Sequence, residues 1–255
     1  NNISLTAGST YDSMTDVPTL TSATAGNYCV LSPIARGTQA NGTITGGNLN
    51  LSTTTSDTRT YATFGFPTSG KYYWELTNNN SGSKGQGIAS VDANGDTYHV
   101  LYFGDGNKQV DGTNTSYGSA FTTGDIEMCA FDLDNGKMYW GKNGTWFASG
   151  DPAAGTNAAY TGLSGTFFPL WYWGLSPGTS GVLISNINFG QRAFAYTAPS
   201  GFKALCTTNL PTPTIGATST TQANDYMNVV LWTGNGSTQN ITGVGFQPDF
   251  VWAKK

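Results

Sequence analysis

The sequence predicts an all-β fold of the sandwich or barrel type, followed by the start of a second β module. Alternating apolar runs of about five to eight residues recur along the chain, separated by clusters of Gly, Asn, Ser, Thr and Pro. No stretch of about a dozen residues keeps the helical period. The 255 residues include 34 glycines, and 10% are charged. The chain is therefore long enough for one or two domains with a substantial core, and we expect almost no helix.

Residues 124–147 give the clearest local prediction, a β-hairpin. Two alternating apolar runs, 126–133 and 137–140, flank an Asp-Asn-Gly sequence, and a second Asn-Gly pair follows at 143–144. Asn-Gly readily supplies the positive φ angles that tight hairpin turns require. The segment is therefore expected to form two paired strands with a further tight turn after the second strand.

This hairpin resembles the central signature of the SPRY domain family, which runs from Gly-Asp through an apolar strand and an Asp-Leu-Asp-Asn-Gly turn into an aromatic strand. Further matching segments occur in the order that the family requires: GKYYWEL at 70–76, GQGIA at 85–89, FFPL at 167–170, NFGQ at 188–191 and PSGF at 199–202. The resemblance covers residues 60–207. It implies a bent, antiparallel two-sheet β-sandwich of the concanavalin-like jelly-roll type that binds partners through loops, without catalytic chemistry or a cofactor.

The segments flanking the sandwich are predicted separately. Residues 1–59 are expected to form an extension that packs on the sandwich, and residues 208–224, rich in Pro and Thr, to form a linker. Residues 225–255 are expected to begin a second, incomplete β-sandwich module, with strands on either side of the Asn-Gly turn at 235–236. Both terminal segments resemble modules of bacteriophage tail or fibre proteins. Because the N-terminus has neither an initiator methionine nor a signal peptide, we expect a longer parent polypeptide.

Charge and cysteine content exclude several classes of protein. Eleven basic and fifteen acidic residues give a pI of about 4.7, and no Lys/Arg cluster is present to neutralise phosphates, so nucleic-acid binding is not expected. No apolar run reaches about 18 residues, so no membrane insertion is expected. Cys29, Cys129 and Cys206 are odd in number and widely spaced, which favours free, buried thiols.

No catalytic or metal-binding residue is predicted. Residues 92–96 place oxygen side chains at alternate positions, but their glycine is the fourth residue where an EF-hand loop needs it sixth, so we expect a turn without metal. Asp132 and Asp134 have the residue types of a glycosidase carboxylate pair, yet both belong to the hairpin signature, which favours a structural role. His99 is the single histidine, and its apolar neighbours indicate a packed or edge position in a strand.

Binding is therefore expected in loops, and the resemblance points to residues 78–84, 104–117, 147–160 and 176–181. The third loop is the most suggestive, because residues 148–157 are small and predicted to be flexible. Aromatic rings and nearby Asp or Asn side chains are suited to stacking on and hydrogen bonding to a sugar or peptide. The candidate ligand-binding residues are Tyr102, Asp105, Asn107, Trp146, Asp151 and Trp173. The alternative is that the aromatic members, which neighbour or lie in predicted strands, are core residues.

The resulting hypothesis is a non-enzymatic structural and adhesion module of a bacteriophage tail fibre or surface appendage. It would reside on the virion and bind a host-surface glycan or protein through loops. It would associate with other virion proteins or with copies of itself as a homo-oligomer, through exposed strand edges. The alternatives are a purely structural capsid-decoration or fibre-shaft protein and, more remotely, a glycan-active enzyme.

Overall fold

The computed structural model describes residues 26–36, 42–53, 59–78, 84–91, 97–173, 183–211 and 226–253. The chain divides into two compact units, Asn1–Leu210 and Pro211–Lys255. Among the described residues, no helix is long and apolar enough to cross a membrane.

The first unit is a sandwich of two antiparallel sheets with seven strands each. Its strands are β1 Leu31–Arg36, β2 Thr43–Thr45, β3 Asn50–Thr53, β4 Arg59–Ala62, β5 Lys71–Asn78, β6 Lys84–Val91, β7 Thr97–Phe103, β8 Asn107–Val110, β9 Thr113–Ser116, β10 Ile126–Asp132, β11 Lys137–Lys142, β12 Thr145–Trp146, β13 Phe168–Trp173 and β14 Leu183–Asn188. One sheet has the order β1-β4-β13-β6-β7-β8-β9, and the other has the order β12-β11-β10-β5-β14-β3-β2. The only helical elements described are two short 3-10 turns, Phe147–Ser149 and Thr207–Asn209. The predicted all-β, two-sheet fold is confirmed.

The predicted hairpin is formed by β10 and β11, but its first turn differs from the expectation. Asp132 pairs with Lys137, so residues 133–136 form a four-residue loop, and of the Asn-Gly pair in it only Gly136 has a positive φ, 59°. The tight turn lies one strand later. Asn143 and Gly144 have φ angles of 49° and 85°, as a two-residue type I′ turn between β11 and β12 requires.

The core lies between the sheets and is dominated by aromatic side chains. The ring of Phe66 is 5.8 Å from Tyr72, 5.6 Å from Trp74 and 5.2 Å from Phe131, measured between centroids. Trp140 on β11 is fully buried in the same cluster. Offset and edge-to-face aromatic contacts of this kind stabilise a core beyond the area they bury.

The central strands β5 and β10 are buried on both faces, because residues 194–202 cover the outer face of their sheet. Phe202 and Phe194 pack there against Tyr73. The buried carboxylate of Glu75 fixes this covering segment, since it accepts hydrogen bonds from the backbone N–H groups of residues 195 and 196, at 2.8 and 2.9 Å, and from the Tyr73 hydroxyl at 2.8 Å.

The segments outside the SPRY-like motifs differ from their predicted form. The described part of residues 1–59 supplies β1, β2 and β3 and the start of β4, so it contributes strands within both sheets. In the second unit, residues 227–253 contain no strand, and Leu231 and Trp252 are 93% and 84% exposed. The strands predicted around the Asn-Gly turn at 235–236 are therefore not formed. Residues 1–25 and 212–225 lie outside the described residues, and the predicted domain boundaries stay a prediction.

Candidate functional site

Two of the four predicted loops meet at the side of the sandwich where β9 ends one sheet and β12 ends the other. Tyr117, which follows β9, donates a hydrogen bond of 3.5 Å from its hydroxyl to the carbonyl of Phe147, which follows β12. We refer to residues 104–106, 117–122 and 147–160 together as the loop surface. The other two predicted loops, 78–84 and 176–181, lie largely outside the described residues.

Part of the segment predicted as a loop at 104–117 is a β-hairpin. β8 and β9 pair from Asn107 opposite Ser116 to Val110 opposite Thr113. The two residues between them, Asp111 and Gly112, have φ angles of 45° and 83°, which is a second type I′ turn. Only its flanks, the turn at 104–106 and the stretch after Ser116, remain as loops, so the hairpin holds both at defined positions.

A single half-buried lysine joins this hairpin to the long loop that follows β12. Lys108 on β8 donates a hydrogen bond of 2.8 Å from Nζ to the carbonyl of Ala159. The same ammonium lies 4.6 Å from the ring centroids of both Tyr117 and Tyr160, within the range of cation–π attraction. Burial lowers the pKa of Lys108. The Lys108 ammonium therefore binds groups of the protein itself and joins two segments of the loop surface.

An aromatic cluster forms the floor beneath the loop surface. The rings of Tyr102 and Phe147 stack at 5.0 Å, and the Tyr102 hydroxyl donates a hydrogen bond of 2.9 Å to the carbonyl of Ser119. Burial raises the pKa of Tyr102 and raises the pKa of Tyr117 to about 12, so both phenols stay protonated. Gly118 permits this packing, because a Cβ there would lie 2.5 Å from the Tyr102 hydroxyl oxygen and 2.8 Å from the Phe147 ring.

The long loop is held by hydrogen bonds, contrary to the expectation that its small residues make it flexible. Asp151 and Thr156 exchange two backbone hydrogen bonds of 3.0 Å, and the Asp151 carboxylate accepts a further one from the N–H of Ala154 at 3.0 Å. The side chain of Asn157 donates to the carbonyl of residue 149 at 3.0 Å. Lys137 on β11 donates to the carbonyl of residue 155 at 2.7 Å. The loop therefore presents a defined backbone shape.

Two adjacent non-glycine residues of this loop adopt left-handed conformations. Ala148 and Ser149 have φ angles of 52° and 55°, a region that costs energy for residues with a Cβ. The surrounding hydrogen bonds enforce that conformation. Strained backbone of this kind is concentrated at functional sites, which makes the loop the best candidate for a binding role.

The exposed groups of the loop surface are polar and mostly uncharged. Its ionisable exposed groups are the carboxylates of Asp105 and Asp151, and both are oriented by local hydrogen bonds. The remaining exposed side chains are small, hydroxyl-bearing or amide-bearing: Ser119, Ala120, Thr122, Ala148, Ser149, Ala153, Ala154, Thr156 and Asn157. Such a surface is suited to a ligand that offers hydrogen-bonding groups.

The six predicted ligand-binding residues fall into three groups. Asp105 and Asp151 are exposed on the loop surface, and Asn107 lies beside Asp105, whose carboxylate accepts bonds of 3.0 and 2.9 Å from the backbone N–H and side-chain amide of Asn107. Tyr102 is fully buried, so its side chain offers no surface to a ligand and acts in packing.

The two tryptophans are placed differently again. Trp146 is half-buried and lies on the outer face of its sheet, with its ring edge-on to Tyr73 at 6.3 Å. Trp173 is the last residue of β13, and its side chain lies outside the described residues.

Three residues that build the site were missed by the sequence reasoning, namely Lys108, Tyr117 and Tyr160. The Asp-Gly pair at 111–112 is a strong hairpin signal and places Lys108 on a strand. No local signal predicts that its ammonium reaches residues 159 and 160, because that contact joins segments about fifty positions apart.

The hairpin carboxylates are structural, as expected. Asp132 is fully buried, forms an ion pair of 2.9 Å with Lys71, and accepts hydrogen bonds of 3.1 and 2.9 Å from the backbone and side chain of Asn135. Burial works against its ionisation, but these partners lower the pKa of Asp132. Asp134 accepts a bond of 2.7 Å from the N–H of Gly70. Both carboxylates therefore hold the hairpin loop to the start of β5.

The remaining candidates for chemistry are packed within the sandwich. Cys29, Cys129 and Cys206 are free and buried, as predicted, and burial raises the pKa of Cys29 to about 12 and also raises the pKa of Cys129. His99 lies half-buried on β7, where burial and the charge of Arg59 lower its pKa to about 4. Among the described residues no group of His, Cys, Asp and Glu is arranged to hold a metal ion. The predicted turn at 92–96 lies outside the described residues.

Comparisons with known proteins give a similar solved structure and a matching family model. The structure is similar to the crystal structure of the SPRY domain of human HERC1, with a TM-score of 0.47 and 18% sequence identity over 62% of this chain and 96% of that chain. Residues 222–255 match the model of a family described as a domain of unknown function, DUF7483. That match covers a small part of the chain and lies within the second unit.

Proposed function

We propose that this chain is a non-enzymatic binding module whose partner docks on the loop surface. The observation that carries the proposal is the way this surface is built. Two segments from different sheets are joined through Lys108, and the long loop keeps a strained conformation through its own hydrogen bonds. Fixing loops before binding lowers the entropy lost when a partner docks. A surface ordered in this way is suited to recognition.

The side chains with catalytic potential support a binding role over an enzymatic one. Asp132 and Asp134 are occupied by Lys71, Asn135 and the backbone of residue 70. Paired glycosidase carboxylates need free oxygens on opposite sides of a bound sugar, so the glycan-active alternative loses its candidate pair. The buried thiols with raised pKa values are poor nucleophiles.

The biological setting that we propose is a bacteriophage particle. The module would belong to a tail fibre or surface appendage, reside on the virion and bind a host-surface glycan or protein. The support comes from the resemblance of residues 1–59 and 225–255 to phage structural modules and from the polar, weakly charged exposed surface. Free, buried cysteines suit assembly in a reducing cytoplasm before release.

A binding experiment with a matched pair of variants tests this proposal. The full chain is applied to an array of bacterial surface glycans and to a panel of bacterial cells. Ala153→Arg places a long charged side chain at the exposed tip of the loop surface. Thr43→Arg is the control and makes the same change in charge. Thr43 is exposed on β2, which lies at one edge of the sheet whose other edge is β12, next to the loop surface.

Binding that falls at least about ten-fold in Ala153→Arg and is unchanged in Thr43→Arg is the expected result, because desolvated contacts at an interface centre dominate affinity. Equal binding by both variants would place the site elsewhere. Absence of binding to every glycan and cell type would contradict the adhesion role and favour the purely structural alternative, capsid decoration or fibre shaft.

A further inference from the structure

The outer edge of β9 is an exposed strand edge. β9, Thr113–Ser116, ends its sheet, and in the described part of the chain no strand pairs with its outer side. All four of its residues are exposed. The type I′ turn and a side-chain hydrogen bond of 2.7 Å from Gln109 to Asn114 fix its geometry.

The alternating hydrogen-bond pattern of the β8–β9 hairpin shows which backbone groups of β9 point away from the sheet. Asp111 donates its N–H to the carbonyl of His99 on β7 at 3.0 Å, and Tyr117 donates its N–H to the carbonyl of Gly106 at 3.1 Å. Since successive residues of a strand bond to opposite sides, residues 113 and 115 bond toward β8. The N–H and C=O groups of Asn114 and Ser116 therefore point away from the sheet.

The other edge strands carry features that hinder pairing, whereas β9 does not. β1 contains Pro33 and an irregular register between Leu31 and Arg36. β12 has two residues and β2 has three. Proline, bulges, charge and short length are the usual means of blocking an edge. β9 has no proline, no charged side chain and no irregularity in its register.

We propose that β9 pairs antiparallel with β9 of a second copy of this chain, centred on Thr115. In that register Asn114 lies opposite Ser116 of the partner subunit, and Ser116 lies opposite Asn114 of the partner subunit. Each of these two pairs forms two backbone hydrogen bonds, which gives four in all. Thr115 faces Thr115 of the partner subunit, and Thr–Thr cross-strand pairs are favourable. The two seven-stranded sheets become one continuous sheet across the two copies.

The outward backbone groups of β9 are self-complementary, which favours a second copy as the occupant, and its side chains carry no charge to oppose the approach. The chain has a formal net charge of −4, so most approaches of two copies meet like-charge repulsion. The β9 edge lets them approach without facing carboxylates. A four-residue pairing is far smaller than a stable interface of about 1,600 Å², so it acts where copies are already held close together. This inference goes beyond the proposed function, because the hydrogen bonds of the pairing come from residues 114 and 116, outside the loop surface.

Sedimentation of the full chain over a range of concentrations tests the pairing with two variants of one residue. Ser116→Pro removes an outward N–H that β8 does not use, and proline is tolerated at such an edge position. Ser116→Ala keeps the N–H and is the control. The symmetric pair loses two of its four hydrogen bonds in Ser116→Pro, so self-association is expected to weaken by about 30-fold. Ser116→Ala is expected to associate as the parent chain does.

Amide hydrogen exchange of the unmodified chain gives an independent readout. The amides of residues 114 and 116 are expected to gain protection as concentration rises, while those of residues 113 and 115 are protected at every concentration. Self-association that is equal in the two Ser116 variants would come from another surface and overturn the proposal. So would a chain that stays monomeric at millimolar concentration. Neither result depends on whether the loop surface binds a host ligand.

Discussion

Replacing Lys108 by methionine tests whether one ammonium group holds the loop surface together. Methionine keeps the length and apolar stem of the side chain but removes the charge and the three N–H donors. The parent ammonium donates to the carbonyl of Ala159 at 2.8 Å and lies 4.6 Å from the rings of Tyr117 and Tyr160. Ala159 is 5% exposed, so water has little access to the carbonyl that loses its donor.

The size of the effect follows from these contacts. A hydrogen bond from a charged donor contributes about 1.5–3 kcal/mol, and each of the two cation–π contacts contributes about 0.5–1 kcal/mol at a partly exposed site. Removing the ammonium also recovers its desolvation cost, which is what lowers the pKa of Lys108. That recovery offsets a part of the loss. We therefore expect Lys108→Met to lower the free energy of unfolding by about 2 kcal/mol.

Urea denaturation of the full chain measures this difference through the midpoint, with the m-value as a check on two-state behaviour. Lys203→Met is the matched control, because the Lys203 side chain is exposed and forms no ion pair among the described residues. It is expected to change the free energy by less than about 0.5 kcal/mol. If Lys108→Met were as stable as Lys203→Met, the ammonium would not hold the loop surface together.

Three further predictions concern other polar groups of the sandwich. Glu75→Gln is expected to cost about 2 kcal/mol in urea denaturation and to speed amide exchange at residues 195 and 196, because one amide oxygen replaces a carboxylate that accepts three hydrogen bonds. Asp132→Asn is expected to cost about 2–3 kcal/mol, because it leaves Lys71 without its ion pair; a stability equal to the parent would contradict the structural role. Because burial lowers the pKa of His99 from 6.5 to about 4, the unfolded chain binds more protons in that range, and stability is expected to fall as the pH falls from 6.5 to 4. His99→Gln should reduce this slope in urea midpoints measured across the range, and an unchanged slope would assign it to other groups.

The parts of the fold that the sequence predicted correctly are those determined by residues close together in the chain. The hairpin of β10 and β11 follows from alternating apolar residues and a polar turn. The structural use of Asp132 and Asp134 follows from their positions beside that turn. The four-residue form of the loop was not predicted, because Asp132 binds Asn135 and holds it out of the left-handed region. Turn type depended on a side-chain contact that residue types alone do not specify.

Residues 104–117 show the opposite case, in which a strand pair was taken for a loop. β9 is Thr-Asn-Thr-Ser, all exposed, so it lacks the apolar alternation on which strand prediction depends. The order of residues 147–157 was missed for a different reason. Their small side chains suggest flexibility, but Lys137 and Asn157 bind the backbone of the loop. Contacts of backbone carbonyls to distant side chains leave no pattern in sequence.

The contacts of the lysine side chains indicate which class of ligand the loop surface would bind. Of the eleven basic residues, Lys71 and Lys142 pair with carboxylates, and Lys108 and Lys137 donate to backbone carbonyls. Among the lysines whose side chains the structure describes, Lys108, Lys137 and Lys142 thus bind protein groups beside the loop surface, while Asp105 and Asp151 remain exposed on it. An anionic glycan would meet these two carboxylates, and like charges repel each other. We therefore expect neutral, hydroxyl-rich ligands to bind in preference to sulfated or acidic ones, and an array carrying both classes makes that comparison directly.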